Sequence, residues 1–510
     1  MNRIINFFRK IFSLEKTYRT ILYALLLLFV VFDLSNSFKQ FHVSNLDGDI
    51  VESTLLLSGV QKTVSDPTGI KTIIHNDKHP IPNRFFSHYF LHKTFSKLPR
   101  FLQNFCEPID SVYLSVAITK LTIQILLLFL MSVIVSGKAR LFSLKFIMSA
   151  AFLIPFFQTN GRALSNEIGI IPSSVSYCFY YPLPFIFLLL YYMPLCFELL
   201  HNKKIKMNWI LIILWTVFAI VSCFSGALNS PVILITNLIL FLYIFIKNWK
   251  VNENQSFLKR SLSTLKIIPK RMYWFLFPVC ILALYSFFLG RYDNAFSEIQ
   301  LSLKELYLLL PKGILNSFFI SISYSIILFL LLANFLIIFF KYQNEPQSKK
   351  IIDFYKFFIV FLLLYVLLLP LGGYRPYRPL ILRFDTILPI TILAMLTITY
   401  GFLFILKKLV TEKWTYYLKI VYPAFFLMIM IFFTFRDNIV VRNECEKASL
   451  YIISNSKEDI VILDNDCSVV GWEPIYTPEE SKNYGELLYL WNITDKPKLF
   501  YNQPRVNENQ

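Results

Sequence analysis

Runs of about 20 apolar residues recur along this chain, and no other feature constrains its folding as strongly. A helix of that length crosses the hydrocarbon of a bilayer, where backbone groups find no water and must satisfy one another. With 56% hydrophobic and 17% aromatic residues, the 510 residues hold more apolar surface than one soluble core could hide. A window of about 19 residues picks out about eleven runs, at 18–37, 112–135, 142–157, 177–199, 208–224, 231–246, 272–290, 314–340, 354–371, 386–406 and 415–435. The third, fifth and sixth are short, so each is expected to tilt or to borrow residues from its loops. The chain therefore reads as an α-class polytopic transmembrane bundle.

Arg3, Arg9, Lys10 and Lys16 precede the first run and no small-residue cleavage site follows it, which predicts a retained helix with a cytoplasmic N-terminus. Counting from there, the loops Lys138–Lys145, Lys203–Lys206, Lys247–Arg271, Lys341–Lys356 and Lys407–Lys413 all fall inside. Every one is basic, as the positive-inside rule requires. Orientation thus accounts for the formal charge of +18, and nucleic acid is not an expected partner. The other side receives the loop 38–111, the turns 158–176 and 225–230, the segment 291–312, the turn 372–385 and the tail from Arg436.

This divides the chain into a membrane domain, 1–435, with a large first outer loop at 38–111, and an extracytoplasmic C-terminal domain, 436–510. The expected location is the bacterial cytoplasmic (inner) membrane. Strand-like pieces at Ile460–Leu463 and Ser468–Trp472, set among Asp, Asn and Pro, predict a small α/β cap in the tail. Cys178, Cys196, Cys223 and Cys280 lie in or beside apolar runs and read as small buried residues. Cys445 and Cys467 fall in the polar tail. They form either a disulfide closing a loop of about 20 residues, worth ~3 kcal/mol by chain entropy, or two free thiols.

Carboxylates are scarce here, so the acidic run Asp47, Gly48, Asp49, Ile50, Val51, Glu52 at the start of the first outer loop stands out. In an extended segment Asp47 and Asp49 share a side, whereas on a helix Asp49 and Glu52 fall on neighbouring turns. Either arrangement brings two carboxylates together to take a proton from a hydroxyl or to hold a divalent metal. A solvated acidic turn at a helix end is the plain alternative.

The same loop gathers His75, Asp77, His79, His88 and His92, with His88 and His92 at i, i+4. Their spacing fits no zinc motif, so the expectation is a polar substrate-facing helix or an amphipathic interfacial one; zinc on His79, His88 and His92 stays open. The turn at 372–385 carries Arg375, Tyr377, Arg378 and Arg383 on the side where orientation disfavours them. Guanidinium groups grip phosphate bidentately, and tyrosines stack on sugar rings or sit at headgroup level. The alternative is snorkelling with a contact between Arg383 and Asp385. Lys120, about two turns into the second run, either snorkels outward or meets a phosphate. Arg291 with Asp293, and Asn160, Arg162 and Glu167, are expected at the rim.

A first spanning helix leading to an acidic outer loop, about ten more helices, a late arginine and tyrosine turn and an outer C-terminal domain together resemble the GT-C superfamily of integral membrane glycosyltransferases. The likeness covers most of the chain in layout; its local motif, Asp47-x-Asp49, is short. The resemblance implies a donor sugar linked to polyprenyl phosphate or diphosphate and an extracytoplasmic glycan, lipid or protein acceptor. It implies Asp47 or Asp49 as catalytic carboxylate, Glu52 behind them, and Arg375, Tyr377, Arg378, Arg383 and Lys120 at the substrate. It leaves open which aspartate acts and whether a divalent metal serves. The oligosaccharyltransferase tail motif, such as Trp-Trp-Asp-Tyr-Gly, is absent.

Physical logic runs the same way. A lipid-linked donor needs an apolar wall, a cation at headgroup depth and a carboxylate just above it. Direct displacement with inversion is the expected mechanism. A surface-polysaccharide polymerase or ligase usually carries its large outer loop late, whereas here it comes first. A lipid-linked glycan translocase would need polar residues deep in several spans, and the middles of these runs read as almost wholly apolar. A non-catalytic scaffold leaves the acidic run without a task.

Overall fold

The structure, a computed structural model, describes residues 16–157, 168–204, 208–226, 228–249, 256–294, 301–375, 378–411, 416–435 and 442–503. Asn160, Arg162, Glu167, Tyr377 and Arg436 lie outside these described residues. Among those described, eight helices are long and apolar enough to cross a membrane: Arg19–His42, Pro108–Ser136, Val175–His201, Asn229–Trp249, Lys270–Tyr292, Ile322–Tyr342, Pro346–Gly372 and Leu388–Leu409. Side chains such as Leu28, Ile281 and Phe340 point outward from them, as lipid-facing residues do. The chain is a polytopic helical membrane protein.

Shorter apolar helices, Leu144–Phe157, Trp209–Cys223 and Lys419–Phe435, lie at the other three of the eleven expected runs. The last of them is part of a helix, Tyr416–Phe435, of 20 residues, about 30 Å of rise and enough to cross the hydrocarbon. Local chemistry sets their limits. Ser143 caps the first, accepting the Phe146 N–H at 3.3 Å, and the helix tightens into a 3-10 turn, Ile154–Phe157, around Pro155. Asn208 caps the second, accepting the Leu211 N–H at 2.9 Å. The run at 231–246, short in sequence, extends in the structure to Asn229–Trp249.

The chain forms two compact units: Met1–Ser65 with Phe86–Leu183 and Leu406–Gln510, and Asp66–Phe85 with Pro184–Ile405. In the first, helix Lys16–His42 packs against Pro108–Ser136 and Leu144–Leu153. Its interior is not wholly apolar. Thr434 Oγ1 donates to the buried Asp33 carboxylate at 2.8 Å, and Gln124 Nε2 donates to Ser37 Oγ at 3.0 Å. In the second, Asn229–Trp249 packs against Lys270–Leu289 and Pro346–Leu368. There Asn237 accepts from the Tyr192 hydroxyl at 2.7 Å, and Asn334 donates to the Ile398 carbonyl at 3.2 Å. The expectation of apolar helix middles is therefore corrected: one amide among twenty aliphatic residues hardly lowers a window average.

The segment after the first helix, expected as a polar loop, is itself helical at Asp49–Leu55, Ser58–Ser65, Ile70–His75, Phe85–Phe95 and Leu98–Leu102. The C-terminal region runs helix Glu444–Asn455, strand β1 (Ile460–Leu463), helix Lys482–Leu490 and strand β2 (Leu499–Asn502). The strands pair in parallel, Ile460 opposite Leu499 through Leu463 opposite Asn502. The strand expected at Ser468–Trp472 does not form; Val470 at its centre takes a left-handed φ of 53°, outside the β region. Cys445 and Cys467 are bonded, tying that loop to helix Glu444–Asn455 at a separation of 22 residues.

This region belongs to the first unit. It is docked by the Trp491 indole N–H on the Phe95 carbonyl (2.9 Å), Lys447 on Asp110 (2.7 Å) and the Asn443 N–H on the Val43 carbonyl (2.9 Å).

Candidate functional site

The acidic run follows immediately on helix Lys16–His42 and opens helix Asp49–Leu55. Its three carboxylates meet three different environments. Asp47 is buried, and its Oδ2 accepts the Ser176 N–H at 3.2 Å, at the start of helix Val175–Tyr180. Burial pushes its carboxyl above the usual carboxylate range, and hydrogen bonds from Ser176, Ser174 and Val175 pull the other way. Asp49 is half-buried, and its Oδ1 accepts the Trp472 indole N–H at 3.0 Å. Glu52, in the same first helical turn as Asp49, is exposed.

Trp472 itself is 53% exposed and lies 5.8 Å, centroid to centroid, from Tyr177. Tyr177 in turn contacts Tyr180 and Tyr181. Helix Lys482–Leu490 packs on helix Asp49–Leu55 and brings up Tyr484, whose phenol is pushed up by burial, then by the charges of Glu52 and Asp49. The result is a pair of reachable carboxylates bordered by an indole and two phenols. Flat aromatic faces beside a carboxylate suit a ligand that is part apolar and part hydroxylated, as a sugar ring is.

Gly48 permits this closeness, since a Cβ there would meet Trp472 Cδ1 at 2.7 Å. Gly48→Ala is expected to displace the indole from Asp49 while leaving the fold intact. The Trp472 contribution to fluorescence should change, and a Trp472→Phe control in the Gly48→Ala background identifies it; an emission spectrum identical to wild type would refute the contact.

Behind Asp49 the helix is held by a buried polar knot. Ser53 Oγ lies 3.0 Å from His88 Nδ1 and 3.1 Å from the Tyr180 hydroxyl, and His92 Nδ1 lies 2.8 Å from the Thr54 carbonyl. The two histidines do share a face of helix Phe85–Phe95, and that face is turned onto helix Asp49–Leu55. His79 belongs to the other unit, where its Nδ1 is 3.2 Å from the Asp77 carbonyl and its backbone N–H donates to Tyr292 at 3.2 Å. The zinc set His79, His88 and His92 is thus not brought together, and among the described residues no group of three His, Cys, Asp or Glu could hold a metal.

For Lys120 the structure removes one of the two alternatives. Rather than snorkelling, it is buried, donating to the Ser173 carbonyl at 2.7 Å and lying 4.7 Å above the Phe41 ring. Glu446 is the residue the sequence did not single out. It is buried in the C-terminal region and accepts the Leu46 N–H (3.0 Å), the Tyr113 hydroxyl (3.0 Å) and the Val470 N–H (2.8 Å). One carboxylate therefore joins the residue before Asp47, helix Pro108–Ser136 and the loop that carries Trp472. Burial raises its carboxyl against the pull of these three bonds. Only an acid in the first turn of a helix beside a cysteine marks it in the sequence, and that is a weak signal.

In the second unit the arginine turn is built on carboxylates. Arg375 pairs with Asp293 at 3.0 Å; Arg378 and Arg383 both pair with Asp385, at 3.1 Å for Arg378 and 3.0 Å for Arg383 Nε. The Asp385 side chain is wholly buried and Arg383 nearly so, whereas the Arg378 side chain keeps 16% exposure. Burial alone would raise the Asp385 carboxyl, but the Arg378 charge, with the bond and charge of Arg383, holds it down at about 2. The contact foreseen between Arg383 and Asp385 is present, and it commits Arg383 to an internal bond.

Compared with known proteins, the chain matches no family model, and no curated protein matches it. Each unit is therefore characterised by its own geometry: the first by a reachable carboxylate pair edged by aromatic rings, the second by a carboxylate-braced guanidinium turn.

Proposed function

We propose that the chain is a membrane glycosyltransferase, moving a sugar from a polyprenyl-phosphate or diphosphate donor to a hydroxyl of an extracytoplasmic glycan, lipid or protein. One observation carries the reading: Asp49, half-buried at the start of the short helix that follows the first spanning helix, is oriented by the Trp472 N–H and bordered by aromatic faces. In this proposal Asp49 takes the acceptor hydroxyl proton as that oxygen attacks the anomeric carbon, and the bond from that carbon to the phosphate oxygen breaks. Asp47, buried on the Ser176 amide, shapes the backbone beneath it and is not the base. Glu52 contacts the acceptor. In this reading the segment and the C-terminal region are extracytoplasmic, at a bacterial inner membrane, an orientation supported by the basic content of the alternate loops. Their direct contact through Asn443 and Val43 fits a shared side.

A translocase is the second reading, since Asp33, Gln124, Asn237 and Asn334 are polar and deep in the helices. Each bonds a neighbouring helix, which is how polar side chains join helices in lipid, and this favours the transferase.

Membranes bearing Asp49→Asn or Asp47→Asn are compared for transfer from a panel of polyprenyl-phosphate hexoses, with protein level matched. Asp49→Asn is expected to lose on the order of 100-fold or more, the usual worth of a general base, with little change in donor affinity. Full transfer by Asp49→Asn would remove the proposed base.

A further inference from the structure

Helix Phe257–Ile267 has no place in the carboxylate site, and its position is set by two local bonds. It lies between the spanning helices Asn229–Trp249 and Lys270–Tyr292. At its start, the Arg260 guanidinium donates to the Trp249 carbonyl through Nε (2.9 Å) and Nη2 (2.8 Å) and lies 4.7 Å from the Trp249 ring. At its end, the Tyr273 hydroxyl donates to the Leu265 carbonyl at 2.6 Å. One tie grips the last residues of the span before it and the other the first turn of the span after it. The helix is thereby fixed where two spans leave the hydrocarbon, which is headgroup depth.

Its faces differ. Thr264 is buried toward the protein and Arg260 is half-buried on Trp249. Lys259, Leu262 and Lys266, at i, i+3 and i+7, share the opposite face and are exposed. Phe257 is exposed at the first turn, beside Trp249. Neither lysine has an ion-pair partner among the described residues. The whole connection 247–271 holds seven basic residues (Lys247, Lys250, Lys259, Arg260, Lys266, Lys270, Arg271) and one acid, Glu253.

Orientation by charge needs basic residues in this loop, but it does not need them on a helix, on one face, or fixed to both spans. An apolar residue between two lysines at headgroup depth matches a lipid: the leucine dips toward the acyl boundary and the ammonium groups meet phosphate.

We propose that the Lys259, Leu262, Lys266 face is a docking site for the headgroups of anionic lipids in the surrounding bilayer. An anionic headgroup offers a net negative charge that a zwitterionic one lacks, and each lysine near such a surface adds roughly a factor of five in binding. The site is independent of the transferase reading, because it uses none of the same residues.

The test uses the full chain, delipidated in a non-ionic detergent. Wild type and Lys259→Gln/Lys266→Gln are titrated with phosphatidylglycerol, phosphatidylcholine or inorganic phosphate, following lipid bound per protein by mass analysis and the thermal unfolding midpoint. Phosphatidylglycerol is expected to bind and raise the wild-type midpoint, and the double variant should bind it about thirtyfold more weakly. Phosphatidylcholine and inorganic phosphate should do little to either protein. Lys259→Arg/Lys266→Arg should retain binding, which separates lost charge from lost folding. Equal binding of the two lipids, or an undiminished phosphatidylglycerol response in the glutamine variant, would overturn the proposal, as would a phosphate response matching the lipid's.

Discussion

Glu446→Leu is expected to release the C-terminal region from the rest of its unit. The leucine fills the space but leaves the Leu46 and Val470 N–H groups and the Tyr113 hydroxyl without their acceptor. Each buried donor left unpaired costs about 1–3 kcal/mol, so the sum is several kcal/mol, a large part of the 5–15 kcal/mol that holds a typical domain folded. Limited proteolysis should cut the variant within 442–503 under conditions where the wild type survives. Glu446→Gln should be milder, since its carbonyl still accepts. A leucine variant as resistant as wild type would show that the three bonds do not hold the region. Burial raises the Glu446 and Asp47 carboxyls alike, so both bind a proton more tightly folded than unfolded. Their contribution is complete below the ordinary carboxyl value of about 4 and is lost as pH rises through the folded values. Amide exchange at Leu46 and Val470, corrected for its intrinsic rate, should therefore be better protected at pH 5 than at pH 7.

Asp385→Asn should strike the second unit as hard, through charge. It removes the carboxylate that two guanidiniums share, and Arg383, 4% exposed, has no room to reach water. Breaking a buried pair by deleting one partner costs about 3–5 kcal/mol, whereas replacing both partners by apolar residues is often neutral. The unfolding midpoint of Asp385→Asn in detergent should drop sharply, and Arg383→Met/Asp385→Leu should recover much of it. If the double replacement is no better than the single, the loss is one of shape and not of unpaired charge. Here pH acts with the opposite sign. The carboxyl is depressed from 3.8 to about 2, so its stabilisation, about 2 kcal/mol, is present above pH 4 and disappears as pH falls through 2.

What the sequence revealed and what it hid follow from how each signal arises. Apolar runs are local, so the helices over 112–135, 354–371 and 386–406 were legible from composition alone. The same averaging concealed Asp33 and Gln124, single polar residues in aliphatic surroundings, and could not mark the helix limits set locally by Ser143, Asn208 and the proline at 155. Strand β1 was readable as a short β-branched run set among polar residues, whereas β2 was not, and Ser468–Trp472 looked extended until a left-handed Val470 turned it toward Glu446.

The acidic run was visible because carboxylates are rare. The sequence could not separate Asp47 from Asp49, since the difference lies in partners more than a hundred residues away, Ser176 for one and Trp472 for the other. The arginine turn was equally visible, and the brace by Asp293 and Asp385 was only half foreseen.

The docking of residues 442–503 onto the segments after the first helix sets an order on synthesis. The Leu46 amide and the Phe95 carbonyl leave the ribosome early, and their partners Glu446 and Trp491 follow some 400 residues later. Through that interval the newborn first unit is incomplete, while the second unit, 66–85 with 184–405, has all its residues once Ile405 is made. The first spanning helix and the segments that dock on residues 442–503 are thus the last to be sealed.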